Sequence, residues 1–83
     1  MEYLNFENRI RNVLAKCVGD NLIIALKSDD NILEKLGINS LQMVKFIANL
    51  EKEFKCDLSL ILIYETWISI DLLINYIVDK RGQ

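Results

Sequence analysis

A chain of 83 residues, 52% of them hydrophobic, is enough for one domain with a genuine core and too short for a second. Ten basic against twelve acidic side chains leave a net charge of −2, without the single-sign field that neutralises a phosphate backbone, which argues against nucleic acid as a partner. No charged segment followed by an apolar stretch and a cleavage site opens the chain, and no apolar run approaches the roughly 18 residues of a membrane span. The expectation is a soluble, cytoplasmic monomer with no membrane partner.

In chain order, Phe6, Ile10, Val13, Leu14, Cys17 and Val18 predict a first helix from about Asn5 to Val18, with Asn5 a candidate N-cap and Gly19 a natural stop. Leu22 to Leu26 is apolar without period and reads as part of a long loop pinned to the core. Ser28-Asp29-Asp30-Asn31 is a turn and capping cluster, after which Ile32, Leu33 and Leu36 predict a turn or two of helix ending at Gly37. From Ser40 to Phe54 there is no Gly or Pro, and Met43, Ile47, Leu50 and Phe54 fall on one helical face. Leu41, Val44 and Ala48 trace a second apolar line along another side, the side that begins next to Ser40.

Asp57 to Tyr64 reads two ways. Its β-branched content and alternating start suit a strand, yet the one candidate partner is Leu22 to Leu26, and an isolated two-stranded pair is marginal in water. The last helix is clearer: Ser69 can cap it, Asp71 complements its N-terminal end, Ile70, Leu73, Ile74, Ile77 and Val78 share a face, and Lys80, Arg81 and Gly82 close it. Tyr64 and Trp67 read as core or half-buried anchors near its start.

Catalytic chemistry finds little support. The chain has no histidine, and Cys17 and Cys56 lack Cys-x-x-Cys spacing, so metal sites and a Ser-His-Asp arrangement are both disfavoured and the cysteines read as reduced and structural. Ser40 has no lysine base placed to activate it, so its hydroxyl would need activation by another protein. On pattern alone, a serine heading an apolar helical run is an ordinary N-cap, and Asn39 or Ser40 could serve as one.

The segment Leu36-Gly37-Ile38-Asn39-Ser40-Leu41, followed by Val44 and Leu50-Glu51-Lys52-Glu53-Phe54, resembles the acyl and peptidyl carrier proteins, whose usual motif is Gly-x-Asp-Ser-Leu. The resemblance spans essentially the whole chain. It implies an all-α fold, a four-helix carrier-protein bundle with a long first loop and a short third helix, here from about Leu60 to Glu65. It also implies that Ser40 carries 4′-phosphopantetheine, donated from coenzyme A by a phosphopantetheinyl transferase, and that the domain itself is no enzyme. Asn39 stands where the family usually has aspartate, keeping the capping oxygen and losing the charge.

By the same resemblance, Asn39, Leu41, Gln42, Val44, Lys45, Ala48 and Lys52 are the candidate docking residues for the transferase, for the enzyme loading an acyl or aminoacyl group, and for downstream synthase or tailoring enzymes. The competing reading packs Leu41, Val44 and Ala48 under the first loop. Phe46, Ile47, Leu60, Ile61 and Ile63 are the candidate lining of a cargo cleft, or they fill that space with no ligand. The mixed charge of this helix and Asn39 lean toward a polyketide or nonribosomal peptide pathway, with fatty-acid synthesis or an unmodified helical adaptor as alternatives. A chain starting at Met1 and ending soon after its last helix reads as a discrete carrier, and a domain excised from a larger synthase would look similar.

Overall fold

The computed structural model describes residues 2–81, and among them all regular structure is helical. Six segments follow in order: α1 (Glu2–Val18), α2 (Asp20–Ile23), α3 (Ile32–Leu36), α4 (Ser40–Phe54), α5 (Ser59–Tyr64) and α6 (Ile70–Arg81). The four bundle helices expected from the resemblance are α1, α4, α5 and α6, while α2 and α3 are short turns of helix within the first long connection. A four-residue helix has no period to detect, which is why Leu22 to Leu26 reads as plain loop. That stretch is pinned to the core as expected, by buried Ile23 and Leu26, with Ile24 outermost.

The core is continuous through the bundle. Ile10 and Leu14 from α1 meet Phe46, Ile47 and Leu50 from α4, Ile61 from α5, and Ile70, Leu73, Ile74 and Ile77 from α6. The apolar face read from Met43, Ile47, Leu50 and Phe54 is this core face. Phe6 and Phe54 pack edge to face, with centroids 5.5 Å apart, and the Arg9 guanidinium lies 4.2 Å from the Phe54 ring centroid. Arg9 also donates from Nε to Glu53 Oε2 at 2.8 Å, so the start of α1 is tied to the end of α4.

Boundaries follow local chemistry. Helix α1 begins ahead of Asn5, so Asn5 lies inside it and caps nothing; Gly19, at φ 98°, ends it and donates to Ala15 O. Helix α4 ends at Lys55, which adopts left-handed φ 55°, and the Glu51 carboxylate then accepts from the Leu58 amide at 2.8 Å. The Asp57 carboxylate takes both the amide and the hydroxyl of Ser59, bonds that hold its carboxyl below the usual carboxylate range. These bonds open α5 one residue before the expected Leu60, and Glu65 follows as its C-cap. Strand pairing of Leu58 to Tyr64 is thereby ruled out. Ser69 caps α6 as expected, its Oγ accepting from the Leu72 amide at 3.1 Å. Gly82, the expected close of α6, lies outside the described residues.

Two expectations about burial are corrected. Tyr64 and Trp67 are 71% and 57% exposed, because the short α5 already turns Ile61 inward and leaves its last turn to solvent. Trp67 instead donates its indole N–H to Asp29 O at 3.0 Å, and Val78, 41% exposed, falls off the buried face of α6. Around Trp67 the first connection is stitched to the segment before α6: Ile32 N–H donates to Ile68 O, Ile68 N–H to Asn31 Oδ1, and Asp71 N–H to Ser28 O.

Candidate functional site

The site is assembled at the head of α4. Gly37, in the left-handed region at φ 65°, closes α3 by donating its amide to Leu33 O, and buried Ile38 anchors the turn. Asn39 is then the N-cap of α4: its Oδ1 accepts from the Gln42 amide at 2.8 Å, and Gln42 Oε1 accepts from the Asn39 amide at 3.0 Å. This reciprocal capping box places Ser40 in the first helical position rather than at the cap. No group among the described residues hydrogen-bonds the exposed Ser40 hydroxyl, which is free for reaction.

Beside Ser40 lies an open cavity of about 270 Å³. Helix α4 contributes Ser40, Met43 and Val44 to its wall, and the end of α5 with the turn after it contributes Leu62, Glu65 and Thr66. Leu33 and Ile68 complete the lining. Glu65 is half-buried and fixed twice, by its backbone amide donating to Ile61 O and by its Oε2, which accepts from the Tyr76 hydroxyl at 2.7 Å. That bond raises the Tyr76 phenol above its ordinary value, with burial adding to the effect.

The residues singled out for a cargo cleft are distributed differently from this cavity. Phe46, Ile47 and Ile61 are enclosed in the core, and Leu60 and Ile63 face solvent. The opening lies between α4 and the end of α5, where a cleft was expected, but Leu33, Leu62, Glu65, Thr66 and Ile68 were absent from that expectation. Burial on opposite sides of a six-residue helix cannot be read from an unbroken apolar run. An acidic residue directly after such a run was the one available sign.

The docking candidates keep to one surface. Leu41 is 63% exposed and Val44 46%, with Ala48, Lys45 and Lys52 exposed alongside them, so the first loop does not cover this line. Gln42 is half-buried and engaged in the capping box. The acids at the far end of α4 are committed, Glu51 to Leu58 and Glu53 to Arg9.

Among the described residues, Cys17 and Cys56 form no disulfide, no cluster could hold a metal ion, and no helix is long and apolar enough to cross a membrane. The family model described as a phosphopantetheine attachment site matches residues 8–77. No solved structure matches the chain.

Proposed function

Because the chain belongs to the phosphopantetheine attachment-site family, whose members bear a 4′-phosphopantetheine group in a carrier role, we propose that Ser40 is the attachment residue and that the domain carries acyl or aminoacyl thioesters in a specialised, polyketide or nonribosomal peptide pathway of the cytoplasm. The observation that carries this reading is the division of labour at the helix head. Asn39 and Gln42 bond each other's backbone amides and close the capping box without the serine, so the Ser40 hydroxyl is exposed and spare. An ordinary capping serine would have its oxygen occupied.

The residues present fit the group. A capped turn presents Oγ to solvent, and the adjoining cavity has apolar walls with, besides Ser40, two polar side chains, Glu65 and Thr66, for an arm that folds back. In the modification, Ser40 Oγ bonds to the β-phosphorus of coenzyme A as the pyrophosphate link breaks, 3′,5′-ADP leaves with the electron pair, and the serine proton passes to a base on the transferase. When bound, the group supplies a terminal thiol that holds cargo as a thioester. The chain's own work is to keep Ser40 in place and to offer Leu41, Val44 and Ala48 with Lys45 and Lys52 as an exchangeable docking face. Tethering raises the effective concentration of cargo at each partner, so weak docking is sufficient. The domain itself catalyses nothing.

The test is intact mass after incubation with coenzyme A, magnesium and a broad-specificity phosphopantetheinyl transferase, beside Ser40→Ala. A gain of one phosphopantetheine in the wild type alone establishes the carrier. A gain confined to Asn39→Asp identifies a carrier with a specialised transferase, and no gain in any variant leaves an unmodified adaptor.

A further inference from the structure

The cavity beside Ser40 has a feature that a simple apolar slot lacks. Glu65 lines it, half-buried, in company with Leu33, Met43, Val44 and Leu62, and among the described residues no lysine or arginine pairs with its carboxylate. Among the described residues the one hydrogen-bond donor to this carboxylate is neutral, the Tyr76 hydroxyl on Oε2. A carboxylate has about four acceptor positions, so one phenol leaves most of them to water or to a ligand.

Resting on the reading of Ser40 as the attachment residue, we propose that this cavity selects tethered cargo bearing a protonated amine, with Glu65 as its counter-charge and Tyr76 as the residue that positions Glu65. The physical argument is one of replacement. A plain alkyl end entering the cavity strips water from Glu65 and returns no donor, which is costly. A cargo ending in a carboxylate adds like-charge repulsion. An ammonium brings three donors and the opposite charge to an acceptor that is already oriented, while its carbon chain lies along Leu33, Val44 and Leu62. The cargo class is therefore aminoacyl or amino-terminated acyl, rather than simple acyl or carboxyacyl.

Three coenzyme A thioesters of matched length test this: 6-aminohexanoyl, heptanoyl and adipoyl. Each is transferred to wild type and to Glu65→Gln, a neutral variant of the same shape that can still accept from Tyr76, and loading is verified by mass. The readout is the thioester half-life in hydroxylamine, normalised to the same thioester on free pantetheine, with amide shifts of Leu62, Glu65 and Thr66 recorded by NMR. In the wild type the amino cargo is expected to survive about 10-fold longer or more, as one charge-assisted bond gives, and to shift those amides. Glu65→Gln is expected to reduce it to the heptanoyl level. Equal half-lives for the three cargoes, or equal protection in Glu65→Gln, overturn the selectivity while leaving the carrier intact. A chain that accepts no arm from any thioester, as wild type and as Asn39→Asp alike, overturns the carrier reading itself, and the selectivity with it.

Discussion

Asn39 and Gln42 exchange side chains for backbone amides across one turn, at 2.8 and 3.0 Å, and the residue between Asn39 and the rest of the helix, Ser40, is thereby relieved of capping. Asn39→Ala removes half of the exchange and should cost about 1 kcal/mol of stability. Asn39→Asp keeps the acceptor and adds negative charge at the positive end of α4, so it should gain about 0.3–1 kcal/mol at low salt. Urea unfolding of the two variants checks both signs.

Two left-handed residues flank α4 at its approaches, one suited to the conformation and one not. Gly37→Ala would place a Cβ that meets nothing within 4 Å, so its cost is backbone strain of about 1–2 kcal/mol, offset by about 0.5–1 kcal/mol of unfolded-state entropy, for a net loss of about 0.5–1 kcal/mol. Lys55, at φ 55°, already bears that strain. Lys55→Gly relieves it at an unfolded-state entropy cost of about 0.5–1 kcal/mol, so the net expectation is a gain of about 0.5 kcal/mol. Midpoints of denaturant unfolding distinguish a gain from a loss.

Phe46 is fully buried. Phe46→Ala should cost about 3–5 kcal/mol against a total of roughly 5–15 kcal/mol for a domain of this kind, a large share of the stability that lowers the unfolding midpoint by well over ~10 °C. A folded Phe46→Ala chain with altered cargo protection would instead make Phe46 part of a cargo site. Circular dichroism against temperature decides.

The Tyr76 phenol is raised because its proton is held by Glu65. The folded chain therefore binds that proton more tightly than the unfolded chain. The resulting stabilisation is complete below the ordinary tyrosine value of about 10 and is lost as pH rises through the higher folded value. The stability difference between wild type and Tyr76→Phe should thus be flat from neutral pH to about 9 and shrink above 10. Parallel unfolding curves across that range measure it.

The long elements were legible because period survives over several turns: Ile10 and Leu14, Met43 to Phe54, and Ile70 to Ile77 all lie on the faces that their spacing assigns. Short elements were not. Asp20–Ile23 spans barely one turn, and Ser59–Tyr64 is a six-residue run in which only Ile61 is buried, so neither side of α5 could be told from composition. Tyr64 and Trp67 were misplaced because size and hydrophobicity favour burial on average but do not say which side of a short helix faces the core, nor whether the turn after it carries its side chain inward. At the site, Ser40 and its glycine stood out through the resemblance. The reciprocal bonding of Asn39 and Gln42 needed coordinates, as did the presence of Glu65 and Thr66 beside Ser40, more than twenty positions away in the chain.

Trp67 is the single tryptophan of the chain, and it sits on the seam where the first long connection is stitched to the lead-in of α6, outside the core. The molecule therefore contains its own optical gauge of that seam. Indole emission follows the parting of Trp67 from Asp29, whereas far-ultraviolet dichroism follows the helices, so the two signals divide loosening of the connection from melting of the bundle without any label being introduced.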